Sequence, residues 1–388
     1  MSKLDYKFNS LLISFMKLDY STTARGFYLR HPLIADILTQ INFWIIAYII
    51  FFTILFFVSK AITSLYPQKV EVYLWENILV AVIAATILGA LLGTVDFFVE
   101  RKLRGKSLGI EILVKGVLYL ATWYFIGFVG YTIGTSMDTK FVDSPLLTYT
   151  EFFSGNMFIA ASIYTATIIV IITFIKQMNN KFGPGILIPM FLGRFRKPRI
   201  EERIFLFMDL KDSTTYAEKL GHLKFSEMIQ DCFLDVNKVI PPFNAEIYQY
   251  VGDEVVLSWS SIEGLRKMNC IKFFFAFQRN LQKRKDYYEM KYGFLPQFKS
   301  GANLGTVTVA EVGDFKREIA YHGDTVNTAA RIQSVCNTYS RSFIISENLK
   351  NKIEWEDSFS TEFIDSIKLK GKELEIKLYS VTTNDSSL

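Results

Sequence analysis

The chain has 388 residues, half of them hydrophobic, with a formal net charge of +5 and a mean hydropathy of +0.22. A composition this apolar excludes a protein that is water-soluble throughout, so part of the chain is expected to lie in lipid. The small positive charge is spread over many loops, which is weak support for nucleic-acid binding, and no nucleic-acid partner is expected.

The N-terminal segment, residues 1–40, is expected to stay on the protein and to lie in the cytoplasm. It carries basic residues but lacks a short apolar run that ends at a small-residue cleavage site. No cleavable signal peptide is therefore predicted.

Residues 41–176 contain four apolar runs, and each is long enough to cross about 30 Å of hydrocarbon as a helix. The predicted spans are Asn42–Val58, Ile78–Val99, Ile112–Gly134 and Met157–Ile175. Two spans carry a charged residue near one end, Asp96 and Lys115. We expect both charged groups to reach the membrane interface, since long or terminal side chains can extend toward the headgroups.

The orientation of the spans follows from the charges of the short loops. The loop after the second span is basic and contains Arg101, Lys102, Arg104 and Lys106. Basic loops stay on the cytoplasmic side, so both termini are predicted to be cytoplasmic in a multi-pass protein of the inner (plasma) membrane. A further basic run from Lys176 to Arg199 agrees, because it suits an anionic inner leaflet. Residues 177–201, interrupted by Gly and Pro, are predicted to be a linker.

Residues 202–381 alternate short strands with amphipathic helices, which predicts an α+β domain followed by a tail of residues 382–388. The predicted elements are a strand Ile204–Asp209, a helix Thr214–Val239 capped by Ser213 or Thr214, hairpin strands Glu246–Tyr250 and Glu254–Trp259, a long helix Ile262–Met290, an apolar pair Gln297–Leu304 and Thr306–Val312 around Gly305, and a helix Gly323–Val335. This order of strands and helices suggests a ferredoxin-like core. The three cysteines form no CxxC pair and are expected to be reduced thiols.

Two aspartates in this domain point to metal chemistry. Asp209 ends an apolar strand and Asp253 lies at the tip of a predicted hairpin. Together they could hold two divalent cations, Mg²⁺ or Mn²⁺, beside a triphosphate. For either aspartate alone, a simple strand end is the better explanation, by roughly two to one. The functional interpretation is favoured because Asn327 and Arg331 follow on a predicted helix, four residues apart and so on one face.

Four separated segments carry a family resemblance. They are FLFMDLKDST (205–214), YQYVGDEVV (248–256), GANLGTVTVAEV (301–312) and YHGDTVNTAARI (321–332). In order and spacing they resemble the catalytic domain of class III nucleotidyl cyclases, over about Glu202 to Val381. The resemblance implies an enzyme that cyclises a nucleoside triphosphate to a 3′,5′-cyclic monophosphate, with a membrane anchor of the kind found in some bacterial cyclases.

The resemblance also assigns roles to residues. Asp209 and Asp253 would hold two divalent ions, while Asn327 would orient the ribose and Arg331 would stabilise charge on the α-phosphate. Phosphate binding is implied for the backbone amides of Leu210, Lys211, Asp212 and Ser213. Lys372 is a weaker candidate for the same role. In the family these two pairs of residues come from different protomers at each site. A homodimer with two equivalent sites is therefore expected.

The positions that usually select the base hold Gln249 and Ala320 here. The family pairs Lys with Asp or Thr for adenine, and Glu with Cys or a similar small residue for guanine, and neither pair is present. A glutamine amide can rotate to serve adenine, guanine or a pyrimidine. ATP is expected because adenylate cyclases are the commonest members of the class, and a guanylate or pyrimidine nucleotide cyclase remains the alternative.

Other classes of function fit the sequence less well. A diguanylate cyclase would carry GGDEF or GGEEF, which is absent. A catalytically inactive membrane receptor with a cyclase-like dimerisation module would be free to lose the four polar residues that are retained. A transporter would have to form its pathway from only four spans by oligomerisation. The expected partners are thus a nucleoside triphosphate, a second copy of the chain and membrane lipid.

Overall fold

The computed structural model describes residues 26–28, 30–65, 74–103, 106–137, 149–183, 185–368 and 375–384. The chain divides into two compact units. We call His31–Pro184 the membrane unit, because it holds the predicted spans. The other unit combines Met1–Arg30 with Gly185–Leu388 and is called the catalytic unit, because it holds the domain with the predicted site residues.

The membrane unit is helical. Its helices are α1 (Pro32–Leu65), α2 (Leu74–Lys102), α3 (Leu108–Met137), α4 (Tyr149–Ser154) and α5 (Asn156–Phe182). Among the described residues, four helices are long and apolar enough to cross a membrane, namely all of these except α4. The four predicted spans are confirmed, and each helix continues past its apolar run at both ends.

Helices α1 and α2 approach each other closely because α2 carries two glycines four residues apart. A Cβ atom on Gly89 would lie 2.6 Å from the Cα of Ile41, and one on Gly93 would lie 2.5 Å from the Cα of Ile37. Small residues at this spacing allow two membrane helices to pack backbone to backbone. This contact fixes the position of α1 relative to α2 along the helix axes.

Charged side chains lie inside the membrane unit, so the expectation that Asp96 and Lys115 reach the interface is wrong. Asp96 is 0 % exposed and Lys115 is 1 % exposed. The ammonium of Lys115 lies 2.8 Å from carboxylate oxygens of both Glu100 and Glu111. A paired charge inside the bundle avoids the cost of an isolated charge in hydrocarbon, which removes the reason to extend to the interface.

Lys176 is also internal and does not contribute to a basic surface at the inner leaflet. Its Nζ lies 2.6 Å from Oδ2 of Asp96 and 3.0 Å from Oδ1 of Asp36. These partners come from α2 and α1, so Lys176 ties α5 to two other helices. The ion pairs fix the rotation of α5, because a turn of this helix would leave buried carboxylates unpaired.

The catalytic unit is built on a mixed eight-stranded sheet. Its elements are α6 (Leu187–Phe191), β1 (Arg199–Leu210), α7 (Ser213–Phe243), β2 (Glu246–Val251), β3 (Glu254–Ser260), α8 (Ser261–Leu265), a 3-10 turn (Arg266–Met268), α9 (Asn269–Lys283), α10 (Lys285–Tyr292), β4 (Phe298–Val312), β5 (Glu318–His322), α11 (Asp324–Ser334), β6 (Phe343–Ser346), α12 (Glu347–Lys352), β7 (Phe359–Lys368) and β8 (Glu375–Thr383). The strand order is β2-β3-β1-β4-β6-β8-β7, and β5 pairs with β4. The first four strands are antiparallel in the ferredoxin-like order, which confirms the predicted α+β core.

The two faces of this sheet are covered by different helices. Leu206 and Leu257 point toward α7 and α9, where they join the large core that contains Phe273. Phe205 and Phe207 point the other way and pack beneath α11. Strand side chains alternate between faces, so Asp209 lies on the α11 face of β1.

The predicted helix Ile262–Met290 is broken into α8, a 3-10 turn, α9 and α10. The backbone of Lys267 and Met268 has positive φ angles of 48° and 59°. The side-chain amide of Asn269 donates to the carbonyl of Glu263 at 2.9 Å, which satisfies a carbonyl that a continuous helix would have used. Hydrophobic periodicity continues across the break, and for this reason the sequence pattern did not reveal it.

The predicted pair of strands around Gly305 is one continuous strand, β4. A Cβ on Gly305 would lie 2.5 Å from Oγ1 of Thr325 in α11. The glycine therefore serves close packing of a helix on the sheet and not a turn. The hairpin partner of β4 is β5, after a turn at Gly313 with φ of 89°.

The start of α7 also differs from the prediction. The residue before the helix is Asp212, with φ of 57° and no side-chain capping hydrogen bond, so neither Ser213 nor Thr214 is the N-cap. The helix ends at Phe243 and is interrupted at Gly221, where φ is 71°. The left-handed backbone of Asp212 turns the chain sharply after β1, so the start of α7 lies beside the end of that strand.

We expect Gly301→Ala to lower the free energy of unfolding of the catalytic unit by about 3 kcal/mol or more. A Cβ at Gly301 would lie 2.6 Å from the Cα of Gln333, so α11 would have to move off β4. Thermal denaturation of the purified full-length protein measures the effect. Thr306→Ala, an exposed position on the same strand, is the control and should change the stability by less than about 0.5 kcal/mol.

Candidate active site

The two predicted metal ligands lie at neighbouring strand ends. Asp209 pairs with Glu254 in the antiparallel register of β1 and β3. Asp253 directly precedes Glu254 in the two-residue turn between β2 and β3, and Gly252 adopts a φ of 62° there. The register therefore brings Asp209 and Asp253 to the same edge of the sheet.

The carboxylates at this edge repel one another. Burial, followed by the charge of Asp253, raises the pKa of Asp209. Burial also raises the pKa of Glu254 to about 7, with further contributions from Asp209 and Asp253. Oδ2 of Asp253 is buried and has no hydrogen-bond partner. A buried carboxylate oxygen without a partner is costly, and a bound cation would relieve that cost.

Two residues that sequence reasoning missed hold Asp209 in place. The ammonium of Lys299 lies 3.3 Å from Oδ2 of Asp209, and Nε2 of Gln333 donates to the same oxygen at 3.0 Å. Lys299 is the register partner of Asp209 on β4. The sequence offered one signal for Gln333, which is its place two residues after Arg331 on the recognised helix.

The donor set fits a divalent cation of the magnesium type. Among the described residues no group of three or more His, Cys, Asp or Glu side chains could hold a metal ion. Mg²⁺ is usually bound through one or two carboxylates, with water and substrate phosphates as the remaining ligands. Asp209 and Asp253 supply such a pair, and the unpartnered oxygen of Asp253 is the atom that supports the fit.

The turn after β1 borders a cavity of about 710 Å³. Three basic side chains, Lys211, Lys299 and Arg341, line it together with Asp212. Lys299 thus contacts both Asp209 and this cavity. A basic cavity beside a carboxylate pair suits a polyanionic ligand.

The predicted phosphate-binding turn is only partly available to a ligand. Leu210 is buried at the end of β1, and the amide of Lys211 donates to the carbonyl of Gln297 at 2.8 Å, so this amide is not part of a phosphate cradle. The amides of Asp212 and Ser213 lie at the start of α7, where helix N–H groups have no intrahelical acceptor. Lys372 lies outside the described residues.

Asn327 and Arg331 occupy one face of α11. Asn327 is exposed and Arg331 is half-buried. At 3.6 residues per turn these two side chains point roughly opposite to Gln333, which contacts Asp209 of the same chain. The helix therefore directs the predicted catalytic pair away from its own carboxylates.

The two predicted base-selecting residues lie on different faces of the sheet. Gln249 is exposed and pairs with Val256, whose side chain lies on the α11 face. Ala320 precedes Tyr321, whose ring packs on Phe205 at a centroid distance of 5.3 Å on that same face. Alternation along β5 points Ala320 to the other face. The two predicted base-selecting side chains therefore do not face one another within one chain.

Residues 195–383 match the family model described as the adenylate and guanylate cyclase catalytic domain. The match covers the elements from β1 to β8 and includes every predicted catalytic and metal-binding residue. The strand order and the carboxylate edge agree with it. Residues 195–383 therefore form a class III nucleotidyl cyclase catalytic domain.

Two relatives to which the chain is similar are adenylate cyclases. The chain is 30% identical over 216 residues to adenylate cyclase 2 of Rhizobium meliloti (strain 1021), which covers 56% of this chain and 60% of that protein. It is 28% identical over 183 residues to the adenylate cyclase of Anabaena cylindrica, covering 45% of this chain and 36% of that protein. The chain spans less than two thirds of either relative. The crystal structure of the adenylyl cyclase CyaB from P. aeruginosa aligns with 50% of this chain and 99% of its own, at 19% identity and a TM-score of 0.43.

Proposed function

We propose that this protein is a membrane-bound adenylate cyclase that converts ATP to 3′,5′-cyclic AMP and pyrophosphate for intracellular signalling. The observation that carries the proposal is the pair Asp209 and Asp253, with the buried, unpartnered Oδ2 of Asp253. The basic cavity that adjoins this pair supports it. Repulsion between the two carboxylates favours bound cations, and the basic lining of the cavity favours a triphosphate.

Asp209 and Asp253 would hold two divalent cations, Mg²⁺ or Mn²⁺. When bound, such ions lower the pKa of the ribose 3′-hydroxyl and neutralise phosphate charge. Gln333 keeps Oδ2 of Asp209 oriented through its 3.0 Å hydrogen bond. Lys299 balances part of the carboxylate charge and also lines the cavity proposed for the phosphates.

The reaction needs little covalent participation by the protein. The 3′-oxygen loses its proton to solvent water and attacks the α-phosphorus. The bond from that phosphorus to the bridging oxygen breaks, and its electron pair leaves with pyrophosphate. Asn327 orients the ribose for this in-line approach. Arg331 donates to the α-phosphate oxygens as their charge develops, and positioned donors of this kind account for most of the catalysis.

A homodimer completes the proposed site. Within one chain Asn327 and Arg331 point away from Asp209, which supports a role beside the carboxylates of a second copy. A two-fold dimer would then contain two equivalent sites, each built from both protomers. A monomer of this chain would lack a complete site.

The membrane unit anchors the enzyme in the inner (plasma) membrane, with both termini in the cytoplasm. The four apolar helices support a multi-pass anchor. Arg101, Lys102 and Lys106 lie at the short connection between α2 and α3, which favours the cytoplasmic side for that connection. An even number of spans then places the catalytic unit where ATP is available.

ATP is proposed as the substrate because the named relatives are adenylate cyclases. Gln249 supplies an amide that can accept from adenine N6 and donate to N1. The same amide, flipped, would bind guanine or a pyrimidine. Base choice therefore depends on what holds the Gln249 amide in the dimer.

Product analysis tests the proposed function directly. The purified full-length protein in detergent, with Mn²⁺, is incubated separately with ATP, GTP, CTP and UTP, and products are identified by chromatography and mass spectrometry. Cyclic AMP is the expected main product. Cyclic GMP or a cyclic pyrimidine nucleotide as the main product would overturn the base assignment. No cyclic product from any triphosphate would overturn the activity and favour an inactive receptor.

A further inference from the structure

The membrane unit contains a cavity of about 510 Å³, here called the membrane cavity. All four long helices contribute to it, with Tyr48 on α1, Ala84 on α2, Trp123 on α3 and Ala161 on α5. Its size falls within the range of pockets that hold small organic molecules. Along the helices its lining extends from the middle, at Tyr48 and Trp123, toward the ends that are remote from the ion pairs of Asp96.

The lining of the membrane cavity selects for an uncharged apolar ligand. Most of the wall is aliphatic or aromatic, and the rings of Trp123 and Phe158 stack at 6.1 Å. The hydroxyl of Tyr164 already donates to the carbonyl of Ala47 at 2.6 Å. Glu151 is the one acidic or basic side chain among the described lining residues, and it disfavours an anion. A polar ligand would lose its hydration without gaining hydrogen bonds.

A continuous chain of contacts leads from the membrane cavity to the ion pairs. Tyr48 in the cavity wall packs edge-on against Trp44, with ring centroids 5.9 Å apart. Nε1 of Trp44 donates to Oε1 of Gln40 at 3.1 Å. Nε2 of Gln40 donates to Oδ2 of Asp96 at 2.5 Å, and that oxygen also accepts from Lys176 at 2.6 Å.

The far end of this chain lies on α5, the helix that leads directly into the catalytic unit along the sequence. Trp44, Gln40 and Asp96 are all 0 % exposed. A shift of Tyr48 is therefore passed to packed or hydrogen-bonded neighbours and is not absorbed by solvent. Buried networks of this kind have a few discrete arrangements, which allows one end to bias the other.

We infer that the membrane cavity is a binding site for a small, uncharged apolar molecule that partitions into the bilayer, and that its occupation changes the ion pairs of Lys176. The regulatory half of this inference rests on the proposed cyclase function. The binding half does not, since it depends only on the cavity and its lining.

A hydrophobic photolabel tests the binding half. The full-length protein in phospholipid vesicles is exposed to tritiated phenyl(trifluoromethyl)diazirine, with and without an excess of unreactive benzotrifluoride. We expect a saturable component of labelling that maps to peptides containing Trp123 or Phe158. Ala161→Trp, which fills the cavity, should remove that component. Ile163→Trp on the same helix, at a position 64% exposed, is the matched control and should retain it.

Labelling that benzotrifluoride does not reduce would overturn the site, because it would mean that bilayer acyl chains fill the cavity. Saturable labelling that survives Ala161→Trp would overturn its location. These outcomes hold whether or not the protein has cyclase activity.

Cyclase turnover tests the regulatory half. Benzotrifluoride should change turnover of the wild-type protein by about fivefold or more, a usual size for coupling between two sites. Gln40→Leu cuts the hydrogen-bond chain, so it should keep saturable labelling and lose the response. Saturable labelling without a change in wild-type turnover would overturn the inference that occupation of the cavity affects the cyclase. Absence of basal turnover would count against the proposed function alone.

Discussion

Asp253→Asn is expected to reduce cyclase turnover at least about a hundredfold. Loss of a group that merely supports a metal ligand costs up to about a hundredfold, so loss of a ligand itself should cost no less. The amide has the shape of the carboxylate, and the change removes a charge that raises the pKa of Asp209. The metal-free variant should therefore be at least as stable as the wild-type protein.

Two readouts separate metal binding from folding in this experiment. Turnover is measured with Mn²⁺, and thermal denaturation is measured with and without it. The wild-type protein should gain stability from Mn²⁺, and Asp253→Asn should not. Asp286→Asn changes an exposed carboxylate on α10 and is the matched control, with both properties unchanged. Near-normal turnover of Asp253→Asn would contradict the two-metal assignment.

Mixing two inactive chains is expected to restore activity. In a heterodimer of Asp253→Asn and Arg331→Ala chains, one site carries both substitutions and the other carries neither. Such a heterodimer should have about half the turnover of the wild-type dimer, because one of its two sites is intact. The physical basis is the orientation of α11, which turns Arg331 away from Asp209 of its own chain.

The heterodimer is isolated by two different affinity tags, one on each chain, so its composition is known. Each variant alone, carrying both tags, should remain inactive, which excludes recovery caused by the tags. A pure heterodimer without activity would show that each site is built within one chain. That result would leave the metal pair intact and remove the proposed role of the second copy.

Much of the catalytic unit could be predicted from local sequence. Three predicted elements have the hydrophobic periodicity of a strand or a helix, and the structure contains each of them. They are the strand before Asp209, the hairpin around Asp253 and the helix that carries Asn327 and Arg331. Errors occurred where packing overrides the pattern. Gly305 was expected to separate two strands, whereas its missing side chain admits Thr325 of α11 within one continuous strand.

The two residues that support Asp209 were not identified from the sequence. Lys299 is brought to Asp209 by the register of β4 with β1, two strands that are far apart in the sequence. Gln333 reaches the same carboxylate because α11 packs on that face of the sheet. Neither residue belongs to a motif that marks its function.

The sequence by itself determined the order of apolar spans, strands and helices. It also determined that the acidic pair lies at strand ends. Both follow from hydrophobic periodicity and from the positions of turn-forming residues, which are local properties of the chain. Only the tertiary structure decided which charges are buried. Asp96, Lys115 and Lys176 were expected at interfaces, yet they lie inside the helical bundle. Their stability there depends on partners from other helices, and a partner far away in the sequence leaves no trace in the local pattern.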